Sequence, residues 1–569
     1  MLLTGSQVLM ECLREQEVDT VFGYPGGTII NVYDALMDYP EITHYLSSHE
    51  QGAGHAADGY ARSTGKVGVC FATSGPGCSN LISAIGTAYM DSSPVVFITC
   101  NVPEKLLGKD AFQEVDITGI SMPITKWSYM VHHADCLADV IREAFAIARA
   151  GRPGPVLIDI AKNASAEKVE YEYLPRELHH TQGRLKRLFE RRADQDDLKP
   201  HEPAMEDIDI LVDMIKQAER PLVICGGGVV RGRAHKEFKT FVEKIDAPVA
   251  ITLMGAGGIS GTNPLATGLL GMHGSQASNQ AVAGCDLLIA VGCRFSDRVA
   301  LNPDTFAAQA KIVQIDIDRA EINKNVMTDH HVIGDAAQVL SLLNCRLQAM
   351  QHNAWKEHIF SYPTENQYFT ESGTLSPKQI AESVARICPE NSIIATDVGQ
   401  HQMWAAQHLH FNYPGQFITS GGFGTMGFGL GAAIGAKIGN PDKTVIHMTG
   451  DGSFRMNCNE LAMVQAYELP IITIIFNNRA LGMVRQWQAL IYKKRYSQTT
   501  LDRGPDFVKL AQAYGLKSRR CETIEEFEDA LQEALNCTCG FVIDCTIDID
   551  EKVRPMVAGG QDITSFLLA

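Results

Sequence analysis

Apolar positions along this chain fall into two alternating rhythms. Short continuous apolar runs, such as "KVGVCFAT" at 66–73, "SPVVFITC" at 93–100 and "GPVLIDI" at 154–160, predict buried strands. Helical spacing fills the stretches between them. The alternation resumes from about 206, with the helix "EDIDILVDMIKQA" and the strands "PLVIC", "APVAITL", "DLLIAVG" and "KIVQIDID", and a third time from about 375. Two polar segments, "RLKRLFERRADQDDLKPHEP" and "SYPTENQYFTESGTLSP", interrupt it and read as linkers. Strands separated by helices imply parallel sheets with right-handed crossovers. The expected fold is α/β, with three doubly wound parallel-sheet domains at 1–165, 190–350 and 375–548 and an arm at 549–569.

The first and third blocks share a layout. One reads "CFATSGPGCSNLISAIGTAYMDSSPVVFITCN" and the other "IHMTGDGSFRMNCNELAMVQAYELPIITIIFNN". Each is a strand, a G-x-G, a helix, a strand and an asparagine. Asn101 lies 26 residues after Gly75, and Asn477 lies 27 after Gly450. That is the length of one βαβ unit, so the layout suggests a duplicated domain, although βαβ units are common enough to recur by chance.

Composition narrows the partners. Of 569 residues 45% are hydrophobic, which gives ample core, and the net charge is −17 with no basic patch, which argues against nucleic acid. No apolar run is long enough to span a membrane, and the first residues lack a basic segment followed by an apolar one. The 15 cysteines are scattered, odd in number and without C-x-x-C, as expected of reduced thiols in a cytoplasmic protein.

The third block carries the chemistry. A GDG alone is an ordinary turn. Here it ends one strand, and the next parallel strand ends at Asn477–Asn478, so Asp451 and Asn478 should stand at the same C-terminal sheet edge, where open α/β sheets bind ligands. A carboxylate and an amide oxygen are hard donors for Mg²⁺ or Ca²⁺ and too few to enclose it, which leaves room for phosphate oxygens. Gly450 and Gly452 let backbone approach, and the following helix, "RMNCNELAMVQAY", offers its N-terminus to an anion. In the first block the middle residue is Pro76, without a donor, so the two blocks have diverged. In "SSHEQGAGHAADGYAR" Glu50 is surrounded by small residues suited to close packing, where a carboxylate would be poorly hydrated. The middle block has only a Gly-rich "CGGGVVRGR", a weak dinucleotide signal.

GDG followed by a strand-ending NN resembles the diphosphate motif of thiamine diphosphate (ThDP) enzymes. In order, "FGYPGG", "ATSGPG", "DAFQEVDI", "TKWSY", "GRPGPVLIDI", "LGMHG", "DVGQHQMWAAQ", "GTMGFGL", "GMVRQWQ" and "RYS" are similar to the catalytic subunit of acetohydroxyacid (acetolactate) synthases over residues 1 to 557. The resemblance implies decarboxylation of pyruvate on ThDP and transfer of the two-carbon unit to pyruvate or 2-ketobutyrate. It makes Glu50 the group that protonates the aminopyrimidine, Met426 the wedge that bends the cofactor, and Asp451, Asn478 and the Ala480 carbonyl the Mg²⁺ ligands. It adds Gln400, His401, Gly452, Ser453 and Met483 as ThDP contacts. Gly27, Phe112 and Gln113 become the first-domain lining, Trp487 the determinant for 2-ketobutyrate, and Arg485 a lesser candidate for a substrate carboxylate.

It further implies a structural FAD on the middle domain, at Arg152, Gly226, Gly228, His273, Gly274, Arg294, Asp316 and Asp335. The assembly it implies is a homodimer or homotetramer with shared sites, alone or with a separate regulatory subunit. The chain departs from the family at Gly431, usually proline, at Ser296, usually aspartate, and in an arm lacking Pro-Pro-Gly. A flavin-dependent pyruvate oxidase, a sulfoacetaldehyde acetyltransferase and a non-catalytic paralogue are the alternatives.

Overall fold

The computed structural model describes residues 1–176, 202–365 and 375–567; most of the first linker and part of the second lie outside them. Three six-stranded sheets form, each wholly parallel. In the first domain the strands run Thr43–Leu46, Thr20–Tyr24, Gly68–Ala72, Val95–Asn101, Val156–Ala161, Trp127–Val131 across the sheet. Numbered along the chain, that order is 2-1-3-4-6-5. The third domain runs Phe417–Ile418, Ile393–Thr396, Val445–Gly450, Ile471–Asn477, Phe541–Thr546, Lys517–Cys521, which is again 2-1-3-4-6-5. The two six-stranded sheets share one strand order and are sister domains in that sense: the repeated layout of the sequence is a repeated topology.

The middle domain is wound differently. Its strands Ala266–Leu269, Val249–Ile251, Pro221–Cys225, Leu287–Val291, Lys311–Asp316 and His330–Ile333 give 3-2-1-4-5-6, the order of dinucleotide-binding sheets. Its crevice lies between Pro221–Cys225 and Leu287–Val291, where the winding reverses.

The first unit runs past 165. Lys168–Glu170 pairs antiparallel with Leu2–Thr4, and Tyr171 joins that domain's core. The pattern missed this because a three-residue edge strand carries too few residues for a period to appear.

The sister domains meet through equivalent helices. Glu50–Thr64 and Phe428–Gly439 each follow the second strand of their sheet and pack on one another within one continuous core. Small side chains make this close approach feasible: a Cβ on Gly435 would run into the Ala56 carbonyl, and one on Gly59 into the backbone of Ala432. A Cβ on Gly431 would lie 2.8 Å from His55 Cβ and 2.9 Å from the Gly52 carbonyl. Glycine at position 431 thus lets the two helices approach closely.

A buried ion cluster pins the three domains together. Arg62 holds Asp58 through two 2.7 Å bonds and donates to Asp91 at 3.1 Å and to the Thr419 carbonyl at 2.7 Å. Asp91 also accepts from the amides of Gly421 and Gly422, and Arg231 of the middle domain donates to the Asp91 carbonyl. The arm then returns to the middle domain: Val557 donates to the Met272 carbonyl, and Met556–Val557 pairs with Phe566–Leu567. All 15 cysteines are free and most are buried, and no helix among the described residues is long and apolar enough to cross a membrane.

Candidate active site

Two half-sites form at the C-terminal edges of the sister sheets. In the third domain Gly450 ends its strand and Asp451 opens the helix Asp451–Asn457. The expected helix at 455–467 is therefore displaced and broken. It starts at Asp451, gives way to a 3₁₀ turn over Cys458–Glu460 and resumes at Leu461–Ala466. The break follows two tertiary ties that local periodicity does not encode. Asn457 donates to the Gly427 carbonyl at 2.6 Å, and Glu460 reaches across to the first domain. Neither Gly450 nor Gly452 takes a positive φ. Their contribution is space: a Cβ on Gly450 would lie 2.9 Å from His401 Nδ1, and one on Gly452 would lie 2.6 Å from Leu481 Cδ2.

Asp451 is buried, and that burial pushes its carboxyl up to about 7. Asn477 and Asn478 then take different tasks. Asn477 donates to Asp544 of the neighbouring strand at 2.8 Å, as Asn101 does to Asp159 in the first domain, also at 2.8 Å. The same Asn–Asp pair thus ties equivalent strands in both domains. Asn478 lies one residue further on, where the first domain has Val102, and stands beside Gln400, with its Nδ2 3.2 Å from Gln400 Oε1 and its Oδ1 accepting from Ala480. Among the described residues no three His, Cys, Asp or Glu side chains converge on a metal position. One buried carboxylate, an amide oxygen and a carbonyl suit a hard cation completed by phosphate oxygens. His401 is buried, held neutral with its pKa lowered to about 4, and its Nε2 has no partner. A buried ring nitrogen without a partner can meet a phosphate oxygen in the tautomer that puts the ring proton on Nε2. Ser453 donates to the Val398 carbonyl at 3.0 Å. Met426 Cε reaches within 3.8 Å of the Cβ position at Gly452.

The first-domain half-site gathers Glu50, Gly27, Gln113 and the turn at 74–77. Glu50 opens its helix, is 8% exposed and accepts from Asn80 Nδ2 at 2.9 Å. Asn80 had no signal in the sequence beyond following the G-x-G. Gly75 has φ +62°, which L side chains rarely adopt, and a Cβ there would meet Gln113 Cα at 2.9 Å. Thr28, next to Gly27, bonds Thr73 and Ser74 and so ties the two loops. Phe112 stands 87% exposed on this face.

At the winding reversal of the middle sheet a cavity of about 1020 Å³ opens. Arg152, Gly228, His273, Arg294, Asp316 and Asp335 line it, joined by Met483 and Trp487 of the third domain. Burial pulls the pKa of His273 down to about 4, and its Nε2 lacks a partner. Gly226 does not line the wall; it packs its backbone against Gly292, so that a side chain there would collide. Gly274 lines a neighbouring cavity of about 100 Å³ instead. Arg152 is held by Glu321 at 2.7 Å and Asp318 at 3.2 Å, partners that sequence reasoning did not single out. Arg485 is engaged elsewhere: it pairs with Asp550 at 2.9 Å and lies 3.7 Å over the Tyr496 ring, anchoring the start of the arm. Gly27, Glu50, Phe112 and Gln113 are absent from the wall of the large cavity, whereas Gly399, Met483 and Trp487 of the third domain belong to it.

Two sister domains with complementary half-sites, flanking a dinucleotide-type domain, define the class as a ThDP enzyme. Comparison with known proteins agrees. Residues 3–120 match the thiamine pyrophosphate enzyme N-terminal TPP binding domain, 208–343 the central domain and 397–545 the C-terminal TPP binding domain. The chain is 42% identical to the probable acetolactate synthase large subunit of Methanocaldococcus jannaschii, over 99% of this chain and 95% of that one. It is 41% identical to the acetolactate synthase isozyme 2 large subunit of Escherichia coli, over 99% of both, and 40% identical to the acetolactate synthase large subunit of Cyanidium caldarium, over 99% and 96%. The chain belongs to the thiamine pyrophosphate enzymes and, within them, to the acetolactate synthase large subunits.

Proposed function

We propose that the protein decarboxylates pyruvate and transfers the two-carbon unit to a second 2-keto acid, pyruvate or 2-ketobutyrate, with ThDP and Mg²⁺ as cofactors. The observation that carries this is the division of labour between sister domains: Glu50 on one sheet edge, Asp451 and Asn478 on the other. Bound ThDP supplies the carbanion chemistry. The chain's own residues supply position and protons. Asp451, Asn478 and the Ala480 carbonyl would hold the metal, and Gln400, His401, Gly452 and Ser453 the diphosphate. Glu50, buried and held by Asn80, would exchange a proton with the aminopyrimidine ring. Positioned proton transfer of that kind is worth roughly 10²- to 10⁴-fold.

Met426 would press on the cofactor. Trp487 and Met483, on the cavity wall, would bound the pocket for the second substrate, with Gly27, Phe112 and Gln113 closing it from the first-domain side. FAD suits the cavity of the middle domain: the strand order is that of dinucleotide sheets, the volume is ample, and His273 Nε2 awaits a partner. Because the reaction has no net redox change, the flavin would be structural. The exposure of Phe112 and the absence of the Glu50 edge from the large cavity favour a site completed by a second copy, in a homodimer or homotetramer with shared sites. The relatives' designation as large subunits leaves room for a regulatory partner.

Incubation of purified protein with pyruvate, ThDP, Mg²⁺ and FAD tests the reading. Acetolactate formed without oxygen uptake is expected. Oxygen uptake without acetolactate would assign the chain to flavin-dependent oxidation instead.

A further inference from the structure

The segment leading into Glu50 is held by the third domain of the same chain as well as by its own sheet, where Leu46 pairs with Gly23 and Ser47 donates its amide to the Gly23 carbonyl. Leu46 donates its amide to the Tyr467 hydroxyl at 2.7 Å, and the rings of Tyr45 and Tyr467 meet edge to face at 4.9 Å. Ser48 donates its hydroxyl to the Asn459 carbonyl at 2.9 Å and its amide to Glu460 Oε2 at 3.0 Å. On the next turn a Cβ on Gly52 would collide with the Glu460 side chain, so the carboxyl sits directly against the first turn of the Glu50 helix.

We propose that Glu460 is a positioning residue for Glu50, fixing the start of the helix that presents it. The inference rests on the role of Glu50 given above. A helix beginning has amides without intrahelical partners. His49 Nδ1 takes only the Gln51 amide, at 3.2 Å. The amide of Ser48, two residues before Glu50, is satisfied by Glu460, whose side chain also lies against Gly52 of the first turn. Glu460 is itself fully buried, and burial together with the nearby Glu50 pushes its carboxyl up to about 7. A buried carboxyl that the fold keeps against a desolvation cost, with no cation paired to it among the described residues, needs a reason to be there. Bracing the Ser48 amide and the first turn of the segment that carries Glu50 is such a reason. It also explains why the helix after Asp451 breaks at Cys458–Glu460: continued helix would turn Glu460 away from the first domain.

The role is separable from stability. Loss of the brace would let the loop relax and shift Glu50 by a fraction of an ångström to an ångström. Misplacement on that scale can cost up to about 10²-fold in rate without removing any group that binds the cofactor. Gln offers the same acceptor oxygen at the same reach, Asp falls one methylene short, and Ala removes the acceptor.

The experiment uses the full chain loaded with Mg²⁺ and ThDP and measures hydrogen–deuterium exchange at C2 of the bound thiazolium by rapid quench and NMR. Alongside it, ThDP affinity and melting temperature are measured. Glu460→Ala and Glu460→Asp should slow exchange at least about tenfold, with ThDP affinity within about threefold of wild type. Glu460→Gln should restore exchange to within about threefold of wild type. Glu50→Gln, run in parallel, should slow exchange at least about tenfold. If it does and both Glu460→Ala and Glu460→Asp exchange at the wild-type rate, the positioning role falls and the role of Glu50 stands. If Glu50→Gln exchanges normally, both fall. Parallel losses of ThDP affinity and melting temperature in Glu460→Ala, not rescued by Gln, would make Glu460 structural only and overturn the proposal.

Discussion

Asp451→Asn gives a quantitative test of the metal site in protein stripped of metal and cofactor. The substitution keeps the volume and one oxygen and removes the charge. In the folded apo chain burial holds the Asp451 carboxyl at about 7, raised from an ordinary value of 3.8. The unfolded chain therefore binds fewer protons than the folded one between pH 4 and 7, and wild-type stability falls as pH rises through that window. The asparagine variant lacks this dependence. From pH 5 to pH 8 the folded-state penalty grows by about 3 kcal/mol, at about 1.4 kcal/mol per unit until the folded carboxyl ionises. For a domain of this size that corresponds to roughly 6–12 °C in melting temperature.

Scanning fluorimetry of both apo proteins at pH 5, 6.5 and 8 should show Asp451→Asn gaining on wild type by that amount. Addition of Mg²⁺ and ThDP at pH 8 should reverse the order, because the ionised carboxylate then finds its cation and the variant does not. A constant difference between the two apo proteins from pH 5 to pH 8 would refute the argument. So would equal stabilisation of both by Mg²⁺–ThDP.

Trp487→Leu should lower the preference for 2-ketobutyrate over pyruvate about tenfold, in line with roughly 1–3 kcal/mol for a shaped apolar pocket; an unchanged product ratio in a competition assay would rule it out. Gly435→Ala should destabilise by about 1–3 kcal/mol through overpacking against the Ala56 carbonyl, outweighing its gain in helix propensity, and a melting temperature at or above wild type would refute the tight crossing. Arg62→Met should cost about 3–5 kcal/mol, because it strands two buried carboxylates at the junction of three domains; denaturation read by tryptophan fluorescence checks it. Chains carrying only Glu50→Gln mixed with chains carrying only Asp451→Ala should recover activity in hybrid dimers, and hybrids shown by tag pull-down to form yet remain inactive would exclude a shared site.

Much of this was legible in the chain itself. The buried strands near 68–72, 95–101, 221–225 and 471–477 appear as apolar runs because a parallel sheet covered on both faces needs apolar residues at every position. The GDG and NN ends were legible because strand-end residues of one βαβ unit must share a sheet edge. The short edge strands, Lys168–Glu170 and Phe417–Ile418, were not, since two or three residues carry no period. Arg485 looked available in its motif, but its partners Asp550 and Tyr496 come from 65 residues away and from the next loop.

Local pattern along the chain was enough to give three α/β units, the divergence of Asp451 from Pro76, and a small-residue surface around Glu50. Each is local, set by a few neighbouring side chains and one backbone period. Tertiary structure alone decided that Asn477 would serve Asp544 while Asn478 stayed at the ligand edge, and that the equivalent helices of the sister domains would pack on each other. It alone decided that Glu460 would leave its helix to brace the first domain. Those outcomes depend on which buried donors and acceptors find one another across hundreds of residues, and a buried polar group left unmatched costs more than a broken local period.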